Sequence, residues 1–254
     1  MTPEATATVD PQPQGMSALA RITGVFFEPG VTFQDIAKKP GFLVPMLLVI
    51  LSGLVFTALM GQRVGWDRVV QQRQEMMSAS MQQRMAQMPA EQREQQERLQ
   101  VKVTPVFSYL AAAAGPPFFW LISAALSLLV VKVIMSAPVT FKQVYSIVAW
   151  AALPVVVQSI LKIVVLFLKK PEDFNVMNPL AFNPGAFMDP KSSPGLYVIA
   201  VSLDIFIIWA LVLTAIGLKA AGGKRISFGG ALAAAITPFA FFVLLGAGAA
   251  AAFS

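Results

Sequence analysis

Five runs of apolar residues, each nineteen or more long, constrain this chain more than anything else in it. They lie at about 42–60, 117–135, 143–168, 196–218 and 228–251. About 20 helical residues, rising 1.5 Å each, cross the roughly 30 Å hydrocarbon layer of a bilayer. Within that layer each backbone N–H and C=O needs a partner from the chain itself, so runs of this length are helical. The class that follows is all-α: a polytopic membrane protein with five transmembrane helices and an extramembrane helical insert between the first and second. Composition agrees. Only 13% of the 254 residues are charged, about half the share usual in a soluble domain. The second run starts near Pro105, but Gly115-Pro116-Pro117 is expected to break it. That reading leaves 105–114 as a lead-in helix and puts Phe118, Phe119 and Trp120 in the interfacial aromatic belt.

The polar remainder divides simply. Residues 1–15 lack the basic start of a cleavable signal and read as a disordered tail; 16–254 form the membrane domain, with 61–104 as a polar helical insert. Ser17 is a plausible N-cap for a short helix whose Leu19, Ile22 and Phe26 share one face. That face either lies in the membrane interface or packs on the bundle. In the insert, Val70, Met77, Met81, Met85 and Met88 fall near one helical stripe, read as a packing face. Pro89 ends one helix and starts the next, where Glu94 and Arg98 form an i,i+4 pair. Residues 169–195, with five prolines, read as a turn-rich loop touching the interface. An odd number of spans puts the termini on opposite sides. The short, basic, acid-free loops 136–142 and 219–227 assign the N-terminus to the cytoplasm and the C-terminus to the outside.

The residue inventory excludes much chemistry. There is no cysteine and no histidine, which removes thiol nucleophiles, imidazole bases and the usual zinc ligands. "GLKAAGGKRIS" at 217–227 is not a phosphate loop, because Arg225 stands where Ser or Thr must follow the lysine. No nucleophile–base pair, cofactor motif or metal set is present, and the net charge of +6 belongs to topology and anionic lipid rather than to nucleic acid. No cofactor is expected, and the chain is read as no enzyme.

Two charges fall inside expected spans. Lys162 and Asp204 lie at comparable depth on consecutive antiparallel helices, about 9–12 Å below the same surface. Each alone is costly there, about 3 kcal/mol at a helix centre, so a direct pair is expected. It is structural in one reading and a substrate or proton site in another.

A short preface recurs three times ahead of apolar segments: "GVTFQDI" at 30–36, "VTFKQVYSI" at 139–147 and "RISFGGAL" at 225–232. Thr32 with Asp35, and Thr140 with Gln143, have the i,i+3 spacing of a capping box. Ser227 can cap in the same way. Phe33, Phe141 and Phe228 follow and can anchor at the interface. Pro154 and Pro238 then sit within the spans and free the carbonyls of Trp150 and Ala234. Each is a hinge or an ion-coordinating break in one reading and a static kink that shapes packing in the other. The last span is rich in Gly and Ala, which suits close helix packing inside the bundle or at a homo-oligomer contact.

"FFEPGVTFQDIAKKPGFLVPMLLVI" and "VTFKQVYSIVAWAALPVVV" together resemble the bacterial branch of the Yip (Ypt-interacting protein) family. The shared elements are the [ST]-F preface, a Tyr/Ser-containing helix start and "A-x-x-P" in mid-span, over roughly residues 20–250. The resemblance implies a five-span fold in a bacterial cytoplasmic membrane. Eukaryotic members are non-enzymatic trafficking proteins that associate with Rab-type GTPases. This chain departs from them in lacking a "DLYGP"-type segment and in its long insert, so fold and location carry over and a GTPase partner does not. The functional reading is a non-enzymatic membrane organiser or adaptor that binds other membrane proteins or lipid. The alternative is a small transporter or channel component using Lys162, Asp204 and the proline kinks.

Overall fold

The computed structural model describes residues 15–77 and 79–252, so all but the last residue of the expected tail, and the C-terminal Phe253 and Ser254, lie outside it. Among the described residues there is no strand, and five helices are long and apolar enough to cross a membrane. The chain is an integral membrane protein of the all-α class.

Two short helices open the fold, α1 (Ala18–Phe27) and α2 (Pro29–Lys38). Ser17 caps α1 by accepting from the Ala20 N–H. Val25 is buried and Ile22 and Phe26 pack on the core, with the Phe26 ring 5.4 Å from Trp209. The helix therefore packs on the bundle by this face, while Leu19 turns outward. The first span, α3 (Leu43–Arg63), presents Leu43, Leu47, Leu51 and Val55 as an exposed stripe at i,i+4 spacing, the pattern of a lipid-facing edge.

The insert forms α4 (Trp66–Glu75) and α5 (Ala79–Ala86) and then runs directly into α6 (Ala90–Leu129). Gly65, at φ 86°, makes the turn from α3 to α4, a conformation open chiefly to glycine. The expected break at Gly115-Pro116-Pro117 does not occur: α6 passes through Pro105, Pro116 and Pro117 without interruption. Proline already has a helical φ, and its lost hydrogen bond is tolerated in a membrane helix packed on its neighbours. A Cβ added at Gly53 of α3 would meet Ala112 of α6 at ordinary van der Waals distance, so the two helices run close together here. Along this unbroken helix the three aromatics face different ways, with Trp120 turned toward the bundle. It is buried, while Phe118 points outward.

The third span has two segments, α7 (Phe141–Ala151) and α8 (Leu153–Leu168), joined at Ala152. The expected fourth span, 196–218, is also interrupted. A short α9 (Pro194–Ser202) ends before Leu203, and α10 (Ile205–Gly222) starts afresh. Only α10 has the length of a span. Asp204 is the reason: its side chain accepts from the Phe206 N–H and caps the new helix, which is what Asp does best at a helix start. The last span is α11 (Phe228–Ala252). It buries an alanine face on α10, α9 and α6 and turns Ile236, Phe241, Leu244 and Leu245 outward. The most enclosed span is α10, at 39% buried against 22% for α11.

The connections gather at two ends. At one end Gln72 of α4 donates to the Phe174 carbonyl and accepts from the Val176 N–H, both at 2.8 Å. Phe174 is buried with Met60, Val69 and Leu166, so the insert and the 169–195 loop form one layer. Arg63 fastens that layer to the bundle by donating to the last carbonyls of α8, 2.8 Å to Leu166 and 3.2 Å to Phe167. Glu94 and Arg98 pair on the surface at 2.6 Å. At the other end lie α1, α2, the 136–140 turn and the 223–227 turn, with Arg225 donating to the Ser136 carbonyl. The densest core, including Phe33, Ile36, Ile147, Trp150 and Leu218, sits near this second end.

Candidate functional site

Three polar or open features interrupt the apolar interior. The first is the site of the expected Lys162–Asp204 pair. The two side chains do not form an ion pair. Gln158, one turn before Lys162 on α8, stands between them: its Oε1 accepts from Lys162 Nζ at 3.0 Å and its Nε2 donates to Asp204 Oδ1 at 3.0 Å. A primary amide suits this place because one end accepts and the other donates. The direct pair fails because the break before α10 turns the Asp204 carboxylate to its own helix, at 2.9 Å from the Phe206 N. Lys162 Nζ also lies 5.9 Å from the Phe56 ring centre. The result is a three-residue relay across two helices, with Asp204 only 6% exposed.

The second feature joins the prefaces. Thr140 and Gln143 complete a capping box at the start of α7. Gln143 does more than that: its Nε2 donates to the Ala37 carbonyl near the end of α2, at 2.9 Å. Arg21 of α1 pairs with Asp35 at 2.7 Å and donates to the Lys39 carbonyl. Its guanidinium lies 5.9 Å from the Trp150 ring, whose Nε1 donates to the Gly41 carbonyl at 2.7 Å. The last carbonyls of α2 and the turn after it are thereby satisfied by side chains from α1 and α7, as helix ends require. Ser227 accepts from the Gly230 N–H at 3.1 Å at the start of α11. Thr32 does not cap. It lies within α2, fully buried, and donates to the Glu28 carbonyl. Pro29, at the first turn, starts that helix instead, as a proline at N1 commonly does.

The third feature surrounds the prolines. Pro154 follows the Ala152 junction in the first turn of α8, where its missing N–H has no partner to lose. Pro238 lies inside α11 and frees the Ala234 carbonyl. Ser127 of α6 donates to that carbonyl at 3.0 Å. Pro154 thus sits at a helix junction, and Pro238 beside a carbonyl that a neighbouring helix satisfies. Pro238 and Ala152 also border a cavity of about 530 Å³ in the middle of the bundle.

Gln158, Arg21 and Ser127 carry much of this geometry and were absent from the sequence-level candidates, and Gln143 was read there only as half of a capping box. Gln158 had a readable signal, a polar residue one turn from Lys162 in an apolar run. Arg21 and Ser127 had none, because their partners are 14 and 107 residues away. Among the described residues no group of three or more Asp or Glu side chains could hold a metal ion.

These features define a class: a polytopic helical membrane protein in which several polar side chains bond helix ends and a freed carbonyl. The chain belongs to the Yip1 domain family, whose sequence profile matches residues 23–250. No curated protein and no solved structure matches it.

Proposed function

We propose that this protein is a non-enzymatic membrane organiser or adaptor of a bacterial cytoplasmic membrane, with its N-terminus in the cytoplasm and its C-terminus outside. The observation that carries this reading is the fate of the intramembrane polar groups. Lys162, Gln158 and Asp204 bond to one another and to a helix start, and Ser127 seals a proline gap. Polar groups satisfied in this way hold helices together, which favours the adaptor over the alternative of a small transporter. Partners would be lipid and other membrane proteins, docking on the polar layer of α4, α5 and the 169–195 loop or on the outer face of α11, where a second copy could also sit.

One experiment addresses orientation and partners together. The chain has no native cysteine, so single cysteines can be placed at exposed Ser17 and Ser192. A membrane-impermeant thiol-to-amine crosslinker added to intact cells should react at Ser192→Cys, spare Ser17→Cys, and join the former to other membrane proteins that mass spectrometry identifies. Reaction at Ser17→Cys alone reverses the orientation. Absence of any joined protein, combined with ion or solute flux in proteoliposomes, replaces the adaptor with the transporter.

A further inference from the structure

The central cavity has a composition that specifies its occupant. Its volume of about 530 Å³ falls within the roughly 300–1,000 Å³ of small-molecule sites. Its wall comes mainly from α6, α10 and α11, and nearly all lining side chains are apolar. Four hydroxyls reach it, from Ser123, Ser127, Ser202 and Thr214. Three are spent on backbone carbonyls: Ser127 on Ala234, Ser202 on Val198 at 2.7 Å and Thr214 on Ala210 at 2.8 Å. The fourth is not. Ser123 Oγ is buried without a hydrogen-bond partner, in a residue 4% exposed.

A buried hydroxyl without a partner is costly, and a partly open apolar pocket of this size has the dimensions of a ligand site. Water is a poor filler of the whole space, because a buried water needs two to four polar partners and the four hydroxyls stand in a wall that is otherwise apolar. Space and hydroxyl together match an apolar body carrying a single polar atom. The five spans put the cavity among molecules of that kind. Ala111 and Phe119, both on its α6 wall, are also exposed on the outer surface, and the Phe119 ring lies 4.9 Å from Phe242 across the α6–α11 seam. In a bilayer such an apolar seam would meet lipid.

We propose that the cavity is a lipid-binding site: the apolar body of one bilayer lipid fills it, entering past Phe119 and Phe242, and a carbonyl or hydroxyl oxygen of that lipid pairs with Ser123 Oγ. The site deepens the lipid half of the adaptor reading and rests on it. Its test reads cavity occupancy alone, so it can fail while crosslinked protein partners still support the adaptor.

Trp120 lines the cavity and is 4% exposed, whereas Trp209 is 37% exposed on the outside. The full chain is reconstituted in phosphatidylcholine bilayers with brominated acyl chains, whose bromine quenches indole emission on contact. The Trp120 signal is taken as the difference between the chain and its Trp120→Phe variant. Trp120 should be quenched along with Trp209. Filling the cavity by Ala210→Phe should remove the Trp120 quenching and leave that of Trp209, and Ala210→Val should remove part of it, which keeps the series readable if the larger side chain prevents folding. An unquenched Trp120, or quenching that neither filling variant reduces, overturns the site. Ser123→Ala should weaken lipid retention about fivefold in native mass spectrometry of the purified protein, the value of one hydrogen bond. Unchanged retention removes Ser123 as the anchor.

Discussion

Val31-Thr32-Phe33 and Val139-Thr140-Phe141 are the same three residues in the same order, and the fold uses them in opposite ways. In the first, Val31 is exposed and Thr32 and Phe33 are fully buried. In the second, Val139 is buried at 1% exposure, Thr140 is exposed, and Phe141 is 42% exposed. The third copy, Ile226-Ser227-Phe228, follows the second. The cause lies just upstream. Pro29 starts α2 three residues before Thr32, which places the threonine within the helix. Thr140 has the extended backbone of an N-cap, at φ −94° and ψ 155°, so α7 starts after it. A shift of a few residues in the start rotates which face of the triplet meets the core. Gln143 then joins the copies by bonding the end of the first helix from the start of the second.

The strongest way to break this comparison is to truncate the two phenylalanines. Phe33→Ala should destabilise the protein by about 3–5 kcal/mol, the usual range for a buried Phe. Phe141→Ala should cost less than about 1 kcal/mol. Unfolding in bicelles or mixed detergent micelles measures both, and equal costs would mean that Phe33 is not in the core.

A smaller effect is expected at the glycines facing each copy. A Cβ at Gly217 of α10 would collide with Ile147 and Phe33, so Gly217→Ala should cost about 1–3 kcal/mol as overpacking. A Cβ at Gly229, just after the third copy, meets nothing. Gly229→Ala should be neutral or stabilising by up to about 1 kcal/mol, because alanine is the better helix former. The same unfolding assay should therefore give opposite signs, and a neutral Gly217→Ala would show that α2 does not press on α10.

The finest test exchanges threonine for serine. At position 140 the cap needs only the hydroxyl, and Thr140→Ser should change stability by a few tenths of a kcal/mol. At position 32 the lost methyl is buried, and Thr32→Ser should cost about 1 kcal/mol. A larger cost at 140 than at 32 would return Thr32 to the role of a cap.

Much of the architecture follows from the chain alone. Apolar length dictates five spans, because lipid offers the backbone no other partner. The caps at Ser17, Thr140 and Ser227 were legible because a capping side chain reaches only two or three residues along its own chain. So was the Glu94–Arg98 pair, one helical turn apart. Two local signals pointed the other way from their first reading. Thr32 lies inside a helix that Pro29 starts, and Asp204 in an apolar run marks a cap and not half of an ion pair.

Only the tertiary structure could decide the rest. Whether Gly115-Pro116-Pro117 breaks a helix depends on what packs beside it, and α3 and α11 hold α6 continuous. Ser127 meets Ala234, and Gln143 meets Ala37, across more than 100 residues. No periodicity or spacing encodes such distances. The cavity, too, is a property of how seven helices fail to fill the space between them. Sequence determines which residues can form a helix and leave water; packing determines which neighbour each polar atom then finds.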